Sequence, residues 1–112
     1  MMLAQHGGLA GLRDEGLLES ALATPQDLFA YGSPTLPEMS GSYAAGIIRN
    51  HPFLDGNKRT GFMIAATFLE LNGLSFIAPE EAVVEKTLAL AAGQLKEAGY
   101  AAWLKGNCRR AC

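Results

Sequence analysis

Apolar residues recur at helical spacing along almost the whole chain, and the pattern is interrupted hard at one place, His51-Pro52. Leu17, Leu18, Ala21 and Leu22 make a first stripe, with Asp14 placed to cap it and Pro25 predicting that this helix ends soon afterwards. A turn-rich passage, YGSPTLP, follows at 31–37. Tyr43, Ala44, Ile47 and Ile48 then form a second amphipathic helix ending near Asn50, because a proline cannot continue it and the residue before a proline is driven out of the helical region. The stretch GFMIAATFLELNG, 61–73, is apolar around most of its circumference and predicts a helix surrounded by others, the central post of the fold. Asn72 and Gly73 supply its stop. A β-prone LSFIA leads to Pro79-Glu80-Glu81, a typical helix start, with Val83, Val84, Thr87, Leu88 and Ala91 as the inward face. A last helix over 95–105 offers Leu95, Ala98 and Trp103 to the core. The expected class is all-α, with at most one small β-hairpin, and 112 residues predict one domain with one core.

Charge narrows the function. With 49% apolar residues and a net charge of −2, the chain reads as a soluble globule, not a disordered tail or a direct nucleic-acid binder. Its cations are unevenly placed: no Lys or Arg lies between Arg13 and Arg49, and then Arg49, Lys58 and Arg59 fall within eleven residues. Local positive charge in an acidic protein suits a small anion. The start, MMLAQHGG, lacks the features of a secretory signal and no apolar run reaches bilayer length, so a cytoplasmic protein without membrane contact is expected. Cys108 and Cys112, in the polar tail CRRAC, read as two reduced surface thiols.

The chemistry concentrates in HPFLDGNKRTG, residues 51–61. A helix starting near Asn57 would leave backbone N–H groups unpaired at its positive end, a ready anion site. Gly56 lets backbone approach a ligand, and Lys58 and Arg59 can add charge-assisted hydrogen bonds. Cations are unfavourable at a helix N-terminus by ~0.3–1 kcal/mol each, so two of them there point to a bound phosphate. Asp55, just before this site, suits Mg²⁺, which takes one or two protein carboxylates and completes its shell with phosphate and water. His51 has a side chain fitted to accept a hydroxyl proton near neutral pH. Together these residues are equipment for phosphoryl or nucleotidyl transfer. Phe53 reads as an apolar anchor for the loop, Arg49 as a surface cation at a helix end, and His6, beside Gly7 and Gly8, as a helix-end residue. A Walker P-loop is excluded, since Asn57 separates Gly56 from Lys58 and the required upstream glycine is missing. Two histidines are too few for a zinc hydrolase site.

The stretch His51-Pro52-Phe53-Leu54-Asp55-Gly56-Asn57-Lys58-Arg59 resembles the signature of the Fic/Doc family, His-Pro-Phe-x-Asp/Glu-Gly-Asn-Gly/Lys-Arg, and HGGLAGLRDEGLLESAL, residues 6–22, resembles its death-on-curing (Doc) branch. The resemblance implies a Fic-fold helical bundle around a buried central helix that modifies a target-protein hydroxyl with a group from a nucleotide. It implies His51 as general base, Asp55 as Mg²⁺ ligand, Gly56, Asn57, Lys58 and Arg59 as the phosphate pocket, and Asn57 also as a brace of the loop.

Adenylylating members usually have glycine at the position of Lys58 and a second arginine at that of Phe62; the Doc branch carries the lysine and lacks that arginine. The resemblance therefore favours a Doc-like toxin that transfers phosphate from ATP, with elongation factor Tu as the implied target. The alternatives are a Fic-type adenylyltransferase and a catalytically idle nucleotide- or partner-binding module. The inhibitory segment Ser/Thr-x-x-x-Glu-Gly/Asn does not occur in the sequence, which implies inhibition by a separate antitoxin. Only MMLAQ precedes the HGG segment, so a shortened first helix is expected, and 27–37 is the expected target-docking flap, where a peptide could add as a strand.

Overall fold

The computed structural model describes residues 11–110. Its elements are α1 (Glu15–Tyr31), α2 (Leu36–Asn50), α3 (Asn57–Leu71), β1 (Leu74–Phe76), α4 (Glu80–Ala91), α5 (Glu97–Gly106) and β2 (Cys108–Arg110). The architecture is all-α, with five helices and one two-stranded sheet among the described residues. The segment in which a shortened first helix is expected, His6 and Cys112 lie outside the described residues.

Asp14 caps α1 as expected, accepting the Leu17 N–H at 3.0 Å. Pro25 does not end that helix, which runs on to Tyr31. The proline is fully buried, and its packing outweighs the lost backbone bond and the ring's clash with the preceding turn, a defect worth ~3 kcal/mol in an exposed helix. α2 also starts earlier than its apolar stripe indicates. Thr35 and Glu38 form a reciprocal capping box: the Glu38 N–H donates to Thr35 Oγ1 at 3.2 Å and the Thr35 N–H to Glu38 Oε1 at 2.8 Å. Residues 27–37 are therefore the end of α1, a short connection and the start of α2, and the expected strand-accepting flap is not formed there. The strands lie elsewhere, β1 antiparallel to β2 with Phe76 opposite Cys108, and since α4 and α5 intervene they are not a hairpin.

The buried central helix is α2, and the apolar segment after the loop is not. α2 buries Met39, Ser40, Gly41, Ser42, Ala44, Ala45, Ile47 and Ile48, whereas α3 buries a single i, i+4 stripe of Asn57, Gly61, Ala65 and Leu69 and leaves Met63 and Leu71 exposed. Small residues decide this. A Cβ on Gly46 would stand 2.9 Å from the Ala21 carbonyl oxygen of α1, one on Gly41 3.3 Å from Ala101 Cβ of α5, and one on Gly61 of α3 3.1 Å from the Ala44 carbonyl oxygen. Three neighbours can thus close on α2 at backbone distance, and Ser40 Oγ completes the α2–α3 crossing by donating to the Ala65 carbonyl at 2.8 Å.

The core joins Ala44, Ala45, Ile48, Ala65, Leu69, Leu90, Tyr100 and Leu104. Beside it, aromatic rings stack in tilted and edge-on contacts from Phe62 to Phe76 (5.6 Å), Trp103 (5.4 Å) and Tyr100 (5.3 Å). The Tyr100 hydroxyl meets Thr87 Oγ1 at 3.0 Å; burial pushes its pKa up, and the Thr87 hydrogen bond pulls partly back. Two sequence expectations shift by a fraction of a turn. α4 buries Thr87 and Leu90 and leaves Val84 and Leu88 exposed, while α5 buries Tyr100, Ala101 and Leu104, with Ala98 exposed. Among the described residues no helix is long and apolar enough to cross a membrane.

Candidate functional site

The loop between α2 and α3 is shaped by how each helix ends. His51 caps α2 in the left-handed region (φ 50°, ψ 54°), its N–H donating to the Ile47 carbonyl at 3.2 Å. A side chain in that region costs ~1–2 kcal/mol, and histidine is among the residues that tolerate it best. Pro52, fully buried, then forbids further helix. Phe53 is half-buried, as an anchor should be, and Asn57 holds it from across the loop. Asn57 Oδ1 accepts the Phe53 N–H and Nδ2 donates to the Phe53 carbonyl, both at 3.0 Å. The Asn57 side chain is thereby fixed inward as a brace, and what this residue offers at the helix tip is its backbone N–H.

Gly56 begins α3 with φ 74°, a left-handed geometry that glycine adopts without penalty. The first helical bond runs from the Thr60 N–H to the Gly56 carbonyl at 2.8 Å, so the N–H groups of Asn57, Lys58 and Arg59 precede the helical ladder, and no side chain caps them. No acidic residue occupies the first turn. The Arg59 guanidinium instead folds back over Gly56, with Nη2 3.2 Å from where a Cβ would stand. Lys58 is exposed beside it. From these two cations an apolar cleft of about 790 Å³ runs between α3 and α4, walled by Phe62, Met63, Phe76, Val83 and Leu88. Phe62 is thus both cleft wall and member of the aromatic stack.

Asp55 is exposed next to the tip, with Oδ1 accepting the Gly56 N–H at 2.8 Å. His51, also exposed, stands at the opposite limb of the loop, and neither His51 nor Asp55 lines the cleft. No cluster of three or more metal-ligating side chains occurs among the described residues. A lone exposed carboxylate beside an uncapped helix start is compatible with Mg²⁺, an ion that takes one or two protein carboxylates and relies on phosphate and water for most of its shell. Arg49 is a surface cation as expected, paired with Glu97 Oε1 at 3.2 Å across α2 and α5.

Two residues that the sequence did not single out tie the loop down. Arg13 donates from Nε to the His51 carbonyl at 2.7 Å and from Nη2 to the Asn50 carbonyl at 3.0 Å, and Asn50 Nδ2 donates to the Leu17 carbonyl at 3.0 Å. The backbone joins in: the N–H groups of Arg13 and Asp14 donate to the Pro52 carbonyl at 2.6 and 3.0 Å, the Leu54 N–H donates to the Gly11 carbonyl at 2.7 Å, and Leu12 bridges Phe53. The one available signal was that Arg13 is the sole Lys or Arg in the first 48 residues.

This loop geometry falls within a sequence match to a known family. The Fic/DOC family profile covers residues 1–69, and the chain belongs to that family. It is 43% identical over 75 residues to a protein of Mycolicibacterium smegmatis named Toxin Doc, an alignment covering 64% of this chain and 57% of that protein's length. It is 35% identical over 105 residues to Protein kinase doc of Escherichia phage P1, covering 92% of this chain and 82% of that protein.

Proposed function

We propose that this chain is a Doc-like toxin that transfers the γ-phosphoryl group of ATP to a hydroxyl of a target protein, with elongation factor Tu as the first candidate target and a separate antitoxin as its inhibitor. The observation that carries the reading is the tip of α3: three unladdered N–H groups, no acidic residue in the first turn, and two cations where helix electrostatics disfavour them. Such a tip gains from an anion. The relative named Protein kinase doc, aligned over most of both chains, supports phosphoryl transfer as the reaction.

In this reading the N–H groups of 57–59, with Lys58 and Arg59, hold the nucleotide's phosphates, and the apolar cleft leading away from them takes the base and sugar, for which about 790 Å³ is ample. Asp55 is the residue that would hold Mg²⁺, which when bound would offset charge on the transferring group. His51 accepts the proton of the attacking hydroxyl, and Asn57 and Phe53 fix the loop that carries it. Phe62, packed edge-on against Phe76, puts an apolar ring where adenylylating relatives place a cation, and this favours the kinase over adenylylation.

The test is incubation of the purified protein with elongation factor Tu or lysate and ATP labelled at either the α or the γ position. Transfer of γ-label without α-label supports the reading; transfer of α-label makes the protein an adenylyltransferase. His51→Ala is expected to lose ~10²-fold or more in transfer rate while still binding ATP, and full activity in that variant removes His51 from the mechanism.

A further inference from the structure

We propose that Arg13 is a positioning residue for His51, clamping the end of α2 so that the imidazole leaves the backbone in one direction. The proposal rests on the reading of His51 as proton acceptor. Its basis is which carbonyls the guanidinium holds. The Asn50 carbonyl belongs to the peptide plane before the His51 Cα, and the His51 carbonyl to the plane after it. Binding both from one rigid fork, at 3.0 and 2.7 Å, fixes the two planes relative to each other and therefore sets φ and ψ of His51. These are the dihedrals found in the left-handed region, where a non-glycine residue stays only if its surroundings hold it.

The partners suit the task. Carbonyls at a helix C-terminus lack helical donors and carry its partial negative charge, so a cation there is favourable in both respects. Arg13 makes no ion pair among the described residues. Its own backbone is anchored independently, by the bond from its N–H to the Pro52 carbonyl and by the neighbouring Asp14 and Leu12 contacts. Removing the side chain therefore leaves segment 11–14 attached to the loop and isolates the clamp.

The experiment compares Arg13→Ala and Arg13→Lys with the unaltered protein in steady-state phosphate transfer and in ¹H–¹³C NMR of the His51 Cε1 signal, assigned by its loss in His51→Ala. Arg13→Ala should lower kcat about tenfold or more with KM for ATP changed by less than about twofold, because the misplaced group is the base and not the phosphate cradle. Arg13→Lys, which can reach one carbonyl but not hold both, should fall between. The His51 signal should split or broaden in Arg13→Ala. An unaltered signal with unaltered kcat overturns the proposal, as does a loss of kcat and ATP binding together that tracks a falling Tm equally in both variants. If the unaltered protein transfers no phosphate to any target, the kinase reading fails, and the NMR signal still decides whether Arg13 orders His51.

Discussion

Helices α2 and α3 start within about twenty residues of each other and solve the same problem in opposite ways. α2 closes its N-terminus from within: Thr35 and Glu38 satisfy each other's backbone donors, and Glu38 faces the positive end of the helix. α3 leaves its donors without a side-chain cap, starts on a left-handed glycine, and puts Lys58 and Arg59 where α2 has its acid. Each of the other four described helices carries at least one acidic residue in its first turn, Glu15, Glu38, Glu80 with Glu81, and Glu97. The missing side-chain cap is shared with α4 and α5; what sets the start of α3 apart among the described helices is that cations stand where the others carry an acid, at a small cost in stability.

The contrast is sharpest when the cations are removed. Lys58→Gln with Arg59→Gln should weaken ATP binding by ~10²-fold or more in titration calorimetry, since each charge-assisted bond is worth ~1.5–3 kcal/mol. The same variant should keep or slightly raise its Tm, because two charges opposing the helix dipole are gone. A fall in Tm alongside affinity would mean that the cations stabilise the fold, and the contrast with α2 would break. A smaller effect is expected from Gly56→Ala, which forces a Cβ into the left-handed region at ~1–2 kcal/mol and crowds Arg59 Nη2; urea denaturation reads the first effect and ATP titration the second. Smallest is Thr35→Ala at the closed start, expected to cost ~1 kcal/mol in urea denaturation with ATP affinity unchanged. If that cap variant altered ATP binding, the two helix starts would be coupled and the division of roles between them lost.

The site shows the same partition between local and distant causes. The residues of 51–59 were legible because their roles are local: a proline stops α2, a glycine starts α3, and an asparagine reaches four residues back to brace Phe53. The Arg13 clamp was not, because it acts on carbonyls 37 and 38 residues away. Nothing in local periodicity records such a contact.

What the sequence determined by itself was the succession of helices, the break at His51-Pro52, the Asp14 cap, and the placing of His51, Asp55 and residues 56–59 on one loop and helix start, since each follows from dihedral limits and spacing within a few residues. Tertiary structure decided the rest. It carried α1 through Pro25, made residues 27–37 a helix junction instead of a flap, and chose α2, not α3 with its long apolar run at 61–69, as the buried helix. The reason is that apolar pattern measures what a helix could bury, while close approach at Gly41, Gly46 and Gly61 determines which neighbours actually cover it.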